Sequence, residues 1–234
     1  MTSTRYLVLD VETSGLSDND RCVELGWLEI DEDFNILNQL ETLLDPQCMI
    51  APAASAVHGL VADDLKDAPT IDEYFSVEGP SCYGQPFTDP CVLIGHKISF
   101  DYKFVKDYFN VKDLLCSLLW SRRLYPDLDN AKLVTMSYAL NLPRPTDAHR
   151  VLSDCTTALH LVKHISERTG LSLPQLVEAS KQPRELTTIP FGKHAGKPWS
   201  EVPSPYLRWM SDAITDDLDI VFSVKQELQR RKNK

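Results

Sequence analysis

The sequence predicts a domain of the α/β class, with α+β as the variant its element order also allows, followed by a small C-terminal appendage. Short apolar, β-rich runs come early in the chain, helical periodicity dominates up to Gly170, and beyond that glycine the texture becomes rich in Gly, Pro, Lys and aromatics. With 234 residues, 43% of them hydrophobic, the chain can bury one sizeable core and keep some sequence for an extension.

Tyr6-Leu7-Val8-Leu9 is almost continuously apolar, and Cys22-Val23-Glu24-Leu25-Gly26-Trp27-Leu28-Glu29-Ile30 alternates more clearly. Both read as strands of one sheet, joined by a turn over residues 13–20 that contains Gly15 and Asn19. Cys91-Val92-Leu93-Ile94-Gly95 reads as a buried strand that stops at a polar segment. Phe100, Phe104, Val105 and Tyr108 then follow helical spacing. Further helical patterns occupy 117–124, 133–140 and 153–168, the last stopped by Gly170. A short helix is expected over 173–179, then a linker at Lys181-Gln182-Pro183-Arg184-Glu185, and an amphipathic helix over 224–234 that ends in Arg230-Arg231-Lys232-Asn233-Lys234. The expected division is a main domain over 1–170, a linker with a short helix over 171–186, and a C-terminal segment over 187–234.

Composition narrows the function classes. No apolar run approaches the roughly 20 residues of a membrane span, so no membrane partner is expected. Met1-Thr2-Ser3-Thr4-Arg5 does not read as a signal peptide, and Cys22, Cys48, Cys82, Cys91, Cys116 and Cys155 form no CxxC pair; reduced thiols in a cytoplasm are the expectation. A formal charge of −10 argues against a protein that coats nucleic acid non-specifically. It suits a carboxylate cluster that loads divalent cations, because bound metal reverses the local sign where a phosphate must sit.

Three segments carry candidate chemistry. Asp10-Val11-Glu12 ends the first strand, and residues two apart on a strand share a face, so both carboxylates can reach one site. Asp101 follows the third apolar run at the start of a helix, where a plain N-cap is an equal reading. His149 lies five residues before Asp154, about 140° apart if both were helical, so His149 must precede the helix for the two to meet. Pro143, Pro145 and Asp147 make a loop there the expectation. Phosphodiester hydrolysis needs converging oxygen ligands for two cations and a base for the attacking water; four carboxylates and one histidine match that requirement.

D-x-E, then H-x-x-x-F-D, then H-R-x-x-x-D, in this order, resembles the signature of the DEDDh 3′–5′ exonucleases. The resemblance implies an RNase H-like exonuclease fold, a central mixed sheet of about five strands flanked by helices with the site at one sheet edge. It implies two Mg²⁺ or Mn²⁺ ions held by Asp10, Glu12, Asp101 and Asp154, with His149 as general base, releasing nucleoside 5′-monophosphates from DNA 3′ ends. Ala56-Val57-His58-Gly59-Leu60 resembles the family's V-H-G-I segment beside the terminal nucleotide, which makes His58 and Leu60 candidate substrate contacts, with Thr13 and Phe100 beside the acidic motifs. Lys97 stands where the family usually has Asn and is a candidate phosphate contact.

Trp120-Ser121-Arg122-Arg123-Leu124-Tyr125-Pro126 and Phe191-Gly192-Lys193-His194-Ala195-Gly196-Lys197 extend the likeness, in particular to the exodeoxyribonuclease X branch. The C-terminal segment interleaves Lys193, Lys197 and Arg208 with Phe191, Trp199, Tyr206 and Trp209, as a single-strand binding face would; an aromatic plug over the main domain is the competing reading. The expected partners are single-stranded and duplex DNA 3′ ends, with a DNA polymerase or repair protein as a further partner. RNA as substrate, and a non-catalytic nucleic-acid-binding or proofreading subunit, stay open as alternatives.

Overall fold

The computed structural model describes residues 4–76, 87–143 and 149–233. Cys82, Pro145, Asp147 and Lys234 lie outside the described residues. Five strands, β1 (Arg5–Thr13), β2 (Cys22–Ile30), β3 (Ile36–Leu43), β4 (Phe87–Gly95) and β5 (Phe109–Cys116), form one sheet in the order β3-β2-β1-β4-β5. β1 is antiparallel to β2 and parallel to β4, so the sheet is mixed. The helices are α1 (Pro52–His58), α2 (Ala62–Leu65), α3 (Ile71–Phe75), α4 (Ile98–Val105), α5 (Ser117–Leu124), α6 (Leu133–Ala139), α7 (Val151–Thr169), α8 (Leu173–Ser180), α9 (Ser204–Ala213) and α10 (Leu218–Lys232).

Burial on both faces explains why β1 reads as a continuous apolar run. Tyr6 and Val8 pack with α7 and α8 on one side, and Leu7, Leu9 and Val11 pack with α3 and α4 on the other. By alternation Asp10 and Glu12 continue the Tyr6–Val8 face, the one covered by α7. β4 pairs with β1 only from Arg5 to Val8, so the far half of β1 runs on with β2 alone. That gap on the β4 side is where α4 enters.

Two glycines let the helices come close. A Cβ on Gly26 of β2 would lie 2.5 Å from Val151 Cγ2 at the start of α7, and one on Gly95 would lie 2.8 Å from the Leu9 carbonyl oxygen. Gly26 is the β2 partner of Asp10, so this close approach sets α7 directly over the end of β1 that carries Asp10 and Glu12.

Within the 171–186 segment, expected as a linker with a short helix, the helix is α8, and it packs on the main core. Leu173, Leu176 and Val177 of α8 are buried with α7, and Trp120 Nε1 donates to Ser180 Oγ at 2.7 Å. Residues beyond it close a second core of Leu186, Ile189, Trp199, Val202, Leu207, Met210, Ile220 and Val224. The final helix begins at Leu218 rather than near 224, because Asp217 caps it by accepting from the Ile220 N–H at 3.0 Å. The module is fastened to α5 by ion pairs: Arg123 grips Asp219 through two nitrogens, 2.6 and 2.8 Å, with both side chains only 2% exposed, and Arg122 pairs with Asp217.

Gly26→Ala should destabilise the fold by about 1–3 kcal/mol through overpacking against Val151 and should lower activity by shifting α7. Urea denaturation of the variant checks this, and wild-type stability would mean that α7 does not rest on this glycine.

Candidate active site

The four carboxylates come together at the open end of β1. Asp10 and Glu12 stand opposite Gly26 and Glu24 of β2. Asp101, in the first turn of α4 and 4% exposed, accepts from the Val11 N–H at 3.1 Å, a donor β4 no longer reaches. Asp154 lies in the first turn of α7, and its Oδ2 accepts from the His149 N–H at 3.1 Å. His149 precedes the helix, as its spacing requires, and is exposed, with a left-handed backbone at φ 67°. Ligand atoms of Glu12, His149 and Asp154 all lie within 4.8 Å of one another. Lys97, at φ 76°, is the N-cap residue of α4; asparagine adopts that conformation more readily than lysine does.

Burial and mutual repulsion raise these acids. Asp10 is pushed well above the usual carboxylate range, first by burial, then by Asp101, Asp154 and Glu12. Glu12 is pushed up to about 8 by burial, then by Asp154 and Glu24. Asp101 is raised to about 7 by burial, which outweighs its bond from Val11 and the nearby Lys97. Asp154 is also raised by burial, with His149 acting in the opposite direction. Such a set of hard oxygen donors, short of cationic partners, is the chemistry that divalent cations satisfy.

Arg150, quoted in the third motif but given no role there, and Glu24, outside all three motifs, form an ion pair beside these carboxylates. Arg150, the N-cap residue of α7, places Nε and Nη2 at 2.9 and 2.7 Å from Glu24 Oε1. The Glu24 side chain is fully buried beside Glu12, and burial raises its pKa against the pull of Arg150. The pair ties the residue following His149 to the strand next to Glu12. The signal was present as an acid in the middle of a largely apolar strand, a residue type that is rarely buried without a partner.

The remaining candidates are divided. Thr13 is buried and donates from Oγ1 to the Gly15 carbonyl at 2.6 Å. His58 is buried at the end of α1, its Nδ1 accepting from the Leu60 N–H at 3.1 Å, and burial lowers its pKa. Leu60 packs with Val23 and Leu65. Phe100 is half-buried, with Lys97 Nζ 5.7 Å from its ring centre. Lys193 and Lys197 are exposed and Trp209 is 52% exposed. Trp199 is a correction: only 4% exposed, it donates from Nε1 to the Leu186 carbonyl at 2.7 Å and belongs to the module's core, so no base can stack on it. His96 of the second motif is held between Ser117 Oγ at 2.9 Å and the Ala131 carbonyl at 2.7 Å, with burial lowering its pKa to about 4.

The exonuclease family matches residues 7–162. The chain is 27% identical over 209 residues to exodeoxyribonuclease 10 of Escherichia coli strain K12, covering 87% of this chain and 89% of that one. It is 29% identical over 203 residues to a PolC-type DNA polymerase III of Caldanaerobacter subterraneus subsp. tengcongensis, covering 79% of this chain and 14% of that one. Among solved structures, exonuclease X in complex with 5′ overhanging duplex DNA superposes with a TM-score of 0.57 at 23% identity, over 74% of this chain and 98% of that one. E. coli exonuclease I in complex with a dT13 oligonucleotide gives 0.61 at 16% identity, over 76% and 44%. The five-stranded mixed sheet with flanking helices is thus the RNase H-like exonuclease fold expected above.

Two outcomes follow from the charge arrangement. Glu12 and Asp101 are raised in the folded state, so the stability they contribute is complete below about pH 4.5 and is lost as pH rises towards about 8. In EDTA the melting temperature should therefore fall between pH 5 and 8, Glu12→Gln should flatten the fall, and Mg²⁺ should restore stability at pH 8; a flat wild-type profile would contradict the charge cluster. Arg150→Ala leaves Glu24 buried without its cation and should destabilise the fold by about 1–3 kcal/mol, the half-exposed Arg150 putting the loss below that of a fully buried pair. Adding Glu24→Gln should recover part of that loss, and equal stability of the single and double variants would show that the pair is not coupled.

Proposed function

Because this chain belongs to the exonuclease family and is therefore a phosphodiester hydrolase, we propose that it removes nucleoside 5′-monophosphates from DNA 3′ ends, using Asp10, Glu12, Asp101 and Asp154 as metal ligands and His149 as general base. The observation that carries this reading is the convergence of four carboxylates and one exposed histidine where β1 outruns β4. The choice of DNA is supported by the likeness to exodeoxyribonuclease 10 over 89% of that protein's length.

The carboxylate set fits two Mg²⁺ or Mn²⁺ ions, which would supply an activated water and neutralise the leaving oxygen. The protein's own part is positioning and proton transfer. Asp101 is oriented by the Val11 N–H, and Asp154 by the His149 N–H. His149, on an exposed residue flanked by the Arg150 anchor, takes the proton from the attacking water. Thr13, His58, Leu60 and Phe100 flank the terminal nucleotide, and Lys97 meets a phosphate. A second reading, association with a DNA polymerase, is supported by the PolC-type relative; co-purification with a polymerase subunit checks it.

Digestion of 5′-labelled single-stranded DNA, duplex DNA and RNA of one sequence, with Mg²⁺ and with EDTA, tests the main reading. A ladder shortening from the DNA 3′ end and abolished by EDTA is expected. Asp10→Ala or Asp154→Ala should remove the ladder, and His149→Ala should slow it by roughly 10²–10⁴-fold, the usual scale for a general base. Wild-type turnover by Asp154→Ala would refute the metal site.

A further inference from the structure

The C-terminal module closes its core without two of its largest aromatic side chains. Leu186, Ile189, Trp199, Val202, Leu207, Met210, Ile220 and Val224 are packed together, whereas Trp209 is 52% and Phe191 37% exposed. Packing therefore does not account for either side chain. Trp209 belongs to a connected series of rings, and Phe191 lies on the same loop as its first member, His194. The turn at Gly192, φ 80°, brings the Tyr206 hydroxyl to 2.8 Å from where a Cβ would sit, which holds this loop against α9. Tyr206 then lies 4.6 Å from His194 and 5.2 Å from Trp209, measured between ring centres.

The module carries a small net positive charge. Residues 187–234 carry eight Lys and Arg against six Asp and Glu, in a chain whose formal charge is −10. Two of those acids, Asp217 and Asp219, are neutralised by Arg122 and Arg123 of α5. Lys193, Lys197 and Arg208 are exposed and make no ion pair among the described residues.

This face is continuous with the catalytic domain. Phe191 lines a cleft of about 550 Å³ together with Lys97, Ser99 and Arg122, and its ring lies 5.4 Å from the Arg122 guanidinium. Lys97 and Ser99 open the helix that carries Asp101. Asp216, on the module side of the cleft, accepts from Ser99 Oγ at 3.0 Å.

We propose that this face, from the cleft at Lys97 across Phe191 and Tyr206 to Trp209, binds the single-stranded part of a nucleic-acid substrate whose 3′ end occupies the carboxylate site; the assignment rests on the exonuclease reading above. Exposed rings supply sequence-tolerant stacking, and Lys193, Lys197 and Arg208 supply phosphate contacts that an acidic chain otherwise lacks.

The test uses the full chain and fluorescein-labelled dT20, with binding followed by anisotropy in EDTA across a salt series. Phe191→Ala with Trp209→Ala should weaken binding roughly 5- to 100-fold with the salt slope unchanged, because stacking carries no charge. Lys193→Gln with Lys197→Gln and Arg208→Gln should make the slope shallower by about 2, at roughly 0.7 per phosphate contact on single strands. Both variants should keep the wild-type melting temperature, since none of these side chains lies in the module's core. Wild-type affinity and slope in both variants would overturn the proposal and leave the face to a protein partner. Hydrolysis of thymidine 5′-monophosphate p-nitrophenyl ester by the wild type with Mg²⁺ checks the catalytic reading separately: no turnover there would sink that reading without touching the binding result.

Discussion

Asp10, Glu12, Asp101 and Asp154 repel one another in a setting where burial already disfavours their charges, and the surrounding elements are arranged to hold them there. The end of β4 at the level of Val8 frees a backbone donor for Asp101. Gly26 and Gly95 remove the side chains that would keep α7 and the β4–α4 turn at a distance. Arg150 pairs with Glu24, the acid that faces Glu12 across the sheet. Each of these features would be hard to explain in a domain selected for stability alone. Together they store repulsion that a cation can release, which is the sense in which a strained site is made ready for its ligand.

What could be read from the sequence divides along physical lines. β2 and α5 were legible to the residue, because buried strands and helices with a core-facing stripe impose a period on hydrophobicity. β3 and β5 were not, because both are edge strands: Ile36 and Leu37 are exposed, and β5 carries Lys112 and Asp113. α9 was hidden by Pro203 and Pro205, which read as irregular chain although a proline in the first turn is tolerated there. The carboxylates were found as an ordered set of motifs. Arg150 and Glu24 escaped because their meaning is a contact between residues 126 apart, which no local pattern records. Trp199 was misjudged for a related reason: composition cannot distinguish an aromatic that faces solvent from one turned inward to the Leu186 carbonyl.

The boundary after Gly170 marks a change of texture and not a break in structure. α8 completes the core around α7, Arg123 and Arg184 lie 5.2 and 5.5 Å from the centre of the Trp120 ring, and the second core starts at Leu186. The motif containing Arg122 and Arg123 thus works as an attachment between two cores, a role the motif's likeness to relatives did not disclose.

The sealed Arg123–Asp219 pair also makes the two cores depend on each other. A carboxylate lost from α10 would leave the α5 guanidinium shut away with only the Ala179 and Gln182 carbonyls to accept from it, so damage to the module is felt in the helix that packs on the main core.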